Sequence, residues 1–206
     1  MALPARLILV RHGQTVWNEA MRWQGQQDSA LTALGEAQAR ELARRISELK
    51  PKVVYSSDLG RALATARPIA AACGVELVED RELRERNLGI FEGLTLLEIE
   101  QRHPEVWSRF KTDGLDYAMP NGESTRQRFE RNVGALTRIA SRHLGESVVV
   151  VGHVGTLDSA FRTVTGLPLD GRRNFSRAHG SLHVLEFQAE QWQLVTWGDV
   201  AHLPEQ

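Results

Sequence analysis

The sequence predicts an α/β protein: a three-layer α/β/α sandwich around a mostly parallel central sheet with one mixed edge. Short apolar runs of strand length alternate with longer amphipathic segments of helical period, as strands covered by helices do. Runs such as residues 6–10 (RLILV) and 147–151 (SVVVV) are continuously apolar, the mark of strands buried on both faces. The last two runs are joined only by Gln188-Ala189-Glu190-Gln191, which predicts a hairpin and hence an antiparallel edge.

The elements follow in order. Residues 6–10 end in RHGQT, a buried strand delivering a loop. Residues 31–49 read as a helix, with Leu34, Leu42, Ile46 and Leu49 on one face and Pro51 as its stop. Residues 52–56 (KVVYS) are the next strand. Asp58 opens a helix through Ala72, closed by Gly74 as the left-handed residue after it. Residues 75–78 form a third β-like run. Thr95 and Glu98 make a capping box for a short helix ending near Pro104. The stretch 104–123 is the least regular. It carries Trp107, Phe110, Tyr117 and Met119 among Gly and Pro, and is a candidate lid or specificity insertion; these four either form an apolar wall beside the site or simply pack the core. Ser124 and Gln127 make a second capping box, opening a long helix with Phe129, Val133, Leu136, Ala140 and Leu144 on one face. Residues 147–151 run into GHVGT, a helix is expected over 156–164, and strands at 181–187 and 192–197 finish the fold.

The chain has 206 residues, 42% hydrophobic and 25% charged, which places it among ordinary globular proteins and away from disordered or disulfide-stapled ones. With no repeat, low-complexity tract or composition shift, residues 1–206 are expected to form one domain. Lys and Arg total 25 against 26 Asp and Glu, so the basic excess of a nucleic-acid binder is missing. The single cysteine, Cys73, excludes an intrachain disulfide and fits a reducing compartment. No apolar stretch is long enough to span a membrane. The start, MALPARLILVRHGQ, lacks the pattern of a secretory signal, so the expectation is cytoplasmic.

In parallel α/β sheets, ligands bind beyond the carboxyl ends of the strands. Two strands here end in a histidine beside glycine: Arg11-His12-Gly13, and Gly152-His153-Val154-Gly155. If both lie in one parallel sheet, both histidines emerge on the same edge, and the glycines let backbone N–H groups approach a ligand. Arg61, early in the helix after residues 52–56, reaches that edge as well. Arg11, His12, Arg61 and His153 around one point suit a dianionic phosphate. A lone histidine after a strand is more often structural, and a lone arginine more often solvated, so spacing alone supports the phosphate pocket without identifying it. A near-neutral protein with a local cationic pocket suits a small phosphorylated metabolite. His179 and His183 have the spacing of two helical zinc ligands, but they fall on a loop and a strand, so no metal is expected.

Four blocks, in order, carry a resemblance: LILVRHGQTVWN, SSDLGRALATA, LRERNLGIFEG and VVVVGHVGT. Together they resemble the signature of the histidine phosphatase superfamily, also called phosphoglycerate mutase-like, over nearly the whole chain. RWQGQQDSALTALG is similar to the segment that contributes Gln24, and GDVAHL to the C-terminal strand exit of the small broad-specificity phosphatase branch.

The resemblance implies that His12 is the nucleophile and becomes a phosphohistidine. Its attacking nitrogen must be neutral and its other N–H held by an acceptor. Arg11, Arg61 and a cationic His153 would hold the non-bridging oxygens. Asn18, Gln24, Thr15, Gly13 and the backbone at Val154 would assist in phosphate or substrate binding. Glu85 would protonate the leaving oxygen and then activate water; a neighbouring dianion favours its proton-donating form. Glu92 in the same block is assigned no chemistry. No cofactor is implied, except 2,3-bisphosphoglycerate if the protein is a mutase.

The leading expectation is therefore a phosphatase of small phosphomonoesters. The alternative is a cofactor-dependent phosphoglycerate mutase, whose branch generally has a longer chain and carries Tyr-Gly where this sequence has Asn87-Leu88-Gly89. A third reading, a non-catalytic phospho-ligand-binding module, sits poorly with a complete set of nucleophile and arginines. Monomer and homodimer are both compatible with the sequence.

Overall fold

A computed structural model describes residues 3–203; residues 1–2 and 204–206, the ends of the expected 1–206 span, lie outside the described residues. The chain begins with β1 (Ala5–Arg11), α1 (Val16–Glu19) and α2 (Ala33–Ser47). Next come β2 (Val54–Ser56), α3 (Gly60–Cys73), β3 (Leu77–Glu79), α4 (Leu96–Arg102) and α5 (Pro104–Thr112). The second half holds α6 (Thr125–Arg142), β4 (Ser147–Gly152), α7 (Val154–Thr165), β5 (Leu182–Gln188) and β6 (Gln191–Asp199).

The strands form one sheet in the order β3-β2-β4-β1-β5-β6. The first four run parallel, while β5 is antiparallel to β1 and β6 to β5, so the sheet is mixed at the edge where the hairpin was expected. That hairpin turns on two residues of positive φ, Ala189 at 49° and Glu190 at 61°, whose backbone twist matches the flanking strands.

Alternate side chains of each central strand enter two cores. Leu7, Leu9, Val148 and Val150 pack with Leu136, Ile139 and Leu157 on the α6/α7 face. Ile8, Val10, Val149 and Val151 pack with Leu42, Ile46 and Ile69 on the α2/α3 face. All eight of these strand residues are essentially inaccessible, each worth roughly 1.5–3 kcal/mol of burial. This double packing makes the runs continuously apolar and sets the two helical layers.

Two elements differ from the sequence reading, and one open alternative is decided. α7 starts at Val154, directly after His153, which is its N-cap, rather than at Thr156. The chain passes from strand to helix across one histidine, with no Ser, Thr, Asp or Asn to announce the start. α5 lies inside the stretch read as irregular. Pro104 occupies its first turn, where a proline's missing N–H is not needed. Of the two readings open for Trp107, Phe110, Tyr117 and Met119, core packing holds for most: they belong to a satellite core. Phe91, Ile99 and Met119 are fully buried there, and Trp23, Trp107, Phe110 and Tyr117 pack against them. No helix among the described residues is long and apolar enough to cross a membrane.

Candidate active site

β1 and β4 pair so that Arg11 stands level with Gly152, and both strands release the chain at the same height. The His12 backbone N–H donates to the Gly152 carbonyl at 3.0 Å. The two imidazoles that follow lie with ring centroids 5.2 Å apart.

His12 Nδ1 sits 2.8 Å from the Gly13 carbonyl oxygen. A carbonyl only accepts, so Nδ1 carries the proton and Nε2 keeps its lone pair. Burial, then the charges of Arg61 and Arg11, push this imidazole well below its ordinary pKa. The ring is therefore neutral, with one nitrogen pinned and the other available. Gly13 serves this arrangement from behind rather than from within the cavity. Its N–H donates to Thr65 Oγ1 at 3.0 Å, and a side chain on it would drive into the Gly35 carbonyl.

Arg61, at the first turn of α3, is held on three sides. Nη1 donates to the Gln27 carbonyl at 2.7 Å and Asp28 Oδ1 at 2.8 Å, and Nη2 to the Gly25 carbonyl at 2.7 Å. Arg11 donates through Nη1 to the Arg177 carbonyl. Burial lowers both guanidiniums, Arg11 to about 10 with Glu85 partly opposing, so both remain charged at neutral pH. The Nε of each is buried with no hydrogen-bond partner among the described residues.

His153 is fully buried, and neither ring nitrogen has a partner among the described residues. Native interiors rarely leave such groups unmet, which points to a ligand. Burial first, then Arg61, His12 and Arg11, push it well below its ordinary pKa. The expected imidazolium is thus not what these surroundings favour, because the neighbouring cations oppose it. Glu85 lies against the start of α7. Gly155 N–H donates to Oε2 at 3.0 Å and Arg86 N–H to Oε1 at 2.7 Å. A side chain on Gly155 would collide with Glu85 Oε1, so glycine there makes room for the carboxylate.

These groups open onto a cavity of about 520 Å³ lined by Arg11, His12, Asn18, Gln24, Arg61, Glu85 and Val154. His153 is not among the residues lining it; its ring lies beside that of His12. Thr15 does not line it. Its hydroxyl caps α1 by accepting the Asn18 N–H at 3.2 Å, while Asn18 Oδ1 takes the Thr15 N–H at 3.1 Å. That exchange fixes the Asn18 carboxamide at the cavity wall. Gln24 is buried, with Oε1 lacking a partner among the described residues. Of Trp107, Phe110, Tyr117 and Met119 only Phe110 lines the cavity, beside Trp23 and Leu88.

Five further arginines line the cavity: Arg22, Arg86, Arg128, Arg173 and Arg177. Sequence reasoning missed them because isolated arginines usually mark solvent. Arg128 was legible only as part of an amphipathic helix, yet it is buried and joined to Asp158 at 2.9 Å. In the sequence His179 shows only the spacing of a metal ligand with His183. Its ring lies 5.7 Å from that of His12, and burial, then Arg11, lowers it to about 3. The usable signal was topological: a residue just before a strand that pairs with β1 must end near the exit of β1. His183 is engaged elsewhere, accepting the Gly198 N–H at Nδ1 and meeting Ser181 Oγ at Nε2. Among the described residues no three His, Cys, Asp or Glu gather to hold a metal ion.

Chemically, the arrangement offers a neutral ring nitrogen with its lone pair free, two held guanidiniums suited to anionic oxygens, and a carboxylate on the same cavity. The family model for the histidine phosphatase superfamily (branch 1) matches residues 7–200. Phosphoglycerate mutase-like protein 4 of Arabidopsis thaliana is 40% identical over 205 residues, 98% of this chain and 88% of that one. A metal-independent phosphoserine phosphatase of Arabidopsis thaliana is 39% identical over 200 residues, 96% of this chain and 82% of that one. Among solved structures, Bacillus stearothermophilus YhfR superposes with a TM-score of 0.88 at 32% identity, covering 97% of this chain and 100% of that one.

Proposed function

The chain belongs to the histidine phosphatase superfamily, branch 1, and from that premise we propose that it hydrolyses small phosphomonoesters through a phosphohistidine on His12. The observation that carries this reading is the His12 ring, held neutral with Nδ1 tied to the Gly13 carbonyl and Nε2 left as the nucleophilic atom. In-line attack by Nε2 on phosphorus forms the N–P bond as the ester P–O bond breaks. Arg11 and Arg61 stabilise the non-bridging oxygens, and His153 donates its ring N–H to one of them. Removing one such preorganised donor typically costs about 3 kcal/mol of transition-state stabilisation. Glu85 gives its proton to the departing oxygen. It then takes a proton from the water that attacks the phosphohistidine, releasing inorganic phosphate and restoring His12.

The steps use side chains and water alone, with no metal or other cofactor. All the groups come from one chain, so monomer and homodimer serve equally, and the substrate is a small phosphorylated metabolite. The reading treats the chain as one catalytic domain in which residues 104–123 bear on specificity through Phe110. One cysteine suits the reducing cytoplasm.

The mutase alternative rests on the name of the mutase-like relative, and shares every step up to the fate of the phosphoryl group. Hydrolysis is favoured by the phosphoserine phosphatase relative and by Asn87-Leu88-Gly89 after the catalytic carboxylate. The test compares native protein with His12→Ala on p-nitrophenyl phosphate, and follows 3-phosphoglycerate with 2,3-bisphosphoglycerate added. Phosphate release that His12→Ala abolishes supports the reading. Equal rates reject the nucleophile, and conversion to 2-phosphoglycerate faster than phosphate release makes the protein a mutase.

A further inference from the structure

Residues 166–181, between α7 and β5, carry Arg172, Arg173 and Arg177, all exposed; Arg173 and Arg177 line the cavity and Arg172 does not. The loop is braced from both sides. Arg162 donates to the carbonyls of Pro168 and Gly171. Phe175 stacks on Phe161 with centroids 4.3 Å apart, and Trp197 Nε1 donates to the Ser176 carbonyl at 2.9 Å. The Arg177 carbonyl receives the Arg11 guanidinium, which ties the loop to the phosphate end of the cavity.

The arginines around the cavity differ in how they are held. Arg11 and Arg86 have no carboxylate partner among the described residues but are tied by hydrogen bonds, Arg11 to the Arg177 carbonyl and Arg86 to the Glu123 carbonyl and Thr125 Oγ1. Arg61 has Asp28 at 2.8 Å, Arg22 has Glu98 at 2.7 Å, and Arg128 has Asp158 at 2.9 Å. The Arg177 side chain has no hydrogen-bond or carboxylate partner among the described residues. Arg173 reaches only Asp158, at 3.2 Å, a carboxylate already holding Arg128 and Arg162. Arg177, its side chain without a partner among the described residues, and Arg173, sharing one carboxylate with two other arginines, thus face a cavity whose 520 Å³ is far more than a phosphoryl group fills, while Trp23 and Phe110 supply apolar wall for a carbon frame.

Resting on the phosphatase reading above, we propose that Arg173 and Arg177 form a second anion subsite. The preferred substrate then carries, apart from the phosphate transferred, a second negative group such as a carboxylate or a further phosphate. Guanidiniums recognise both through paired N–H donors.

Matched pairs of substrates test this: 3-phosphoglycerate against glycerol 1-phosphate, and propane-1,3-diol bisphosphate against propyl phosphate. The readout is the ratio of kcat/KM within each pair, so general damage to the phosphate pocket cancels. The native protein should prefer the doubly anionic member of at least one pair by roughly tenfold or more, the worth of one charge-assisted hydrogen bond. The preference should lie mainly in KM, because a distal anion is held alike in ground and transition states. R173Q/R177Q should bring the ratio towards one, and R173K/R177K should restore part of it. Which pair responds identifies the second group. A native ratio near one in both pairs, or a ratio that survives R173Q/R177Q, overturns the proposal. Calorimetric binding of the same pairs to His12→Ala gives the ratio without turnover. Failure of the subsite is thereby distinguished from failure of the phosphatase reading.

Discussion

Glu85 shows how much one side chain's surroundings decide. Its two oxygens are pinned by backbone N–H groups of Arg86 and Gly155, so the carboxylate cannot swing away from the cavity. As the proposed proton donor, it matters in proportion to how poor the leaving group is. Glu85→Gln should lower kcat for an alkyl phosphate about 100-fold or more, and for p-nitrophenyl phosphate by less than tenfold. Equal losses would remove the acid role. The meeting of His12 and His153 was legible from sequence because both follow strands that run parallel, whereas the nucleophile role of His12 came only from the family resemblance. The neutral state of His153 was not legible. It depends on how closely Arg61, His12 and Arg11 crowd one buried ring, and spacing along a chain does not carry that distance.

The start of α7 is the element on which the site turns. It delivers His153 as N-cap, Val154 to the cavity wall and the Gly155 N–H to Glu85. Gly155→Ala would push the carboxylate aside while leaving the helix its propensity. Turnover of an alkyl phosphate should drop more than tenfold, with part of the p-nitrophenyl phosphate activity retained; a native rate for both would show that Glu85 is not held there. The capping boxes at Thr95 and Ser124 were readable because their hydrogen bonds are local, and both are present. α5 was not, since its one local signal is Pro104 in the first turn and what holds it is the packing of half-buried Trp107 and Phe110 against Phe91 and Trp23. The loop bearing Arg173 and Arg177 was silent as well: its brace is Arg162 and Phe161 from the helix before it and Trp197 from β6, contacts that carry no turn or cap signal.

At the scale of the molecule, the alternation of strands and helices specified the sandwich because each central strand is buried twice. The order β3-β2-β4-β1-β5-β6 followed only in part, since the sequence does not say which strand β1 neighbours. Five histidines share one electrostatic condition. His12, His153, His179, His183 and His202 are all lowered, chiefly by burial, with His179 and His183 at about 3. In the unfolded chain each takes up a proton near pH 6.5. The stability they contribute is therefore complete above about pH 6.5 and is lost as pH falls towards the folded values. Each histidine supplies on the order of 1 kcal/mol per pH unit across that window. The thermal midpoint should fall steadily from pH 7 to 5, above the range where most carboxylates titrate. A flat profile there would mean that these rings are not held neutral.

The central claim is a covalent bond between His12 and phosphorus, and rapid-quench labelling with a 32P-phosphomonoester reads it directly. Label that is acid-labile, base-stable, kinetically competent, mapped to the peptide holding Arg11-His12-Gly13 and lost in His12→Ala is the expected result. Turnover at the native rate with no such adduct would contradict the account.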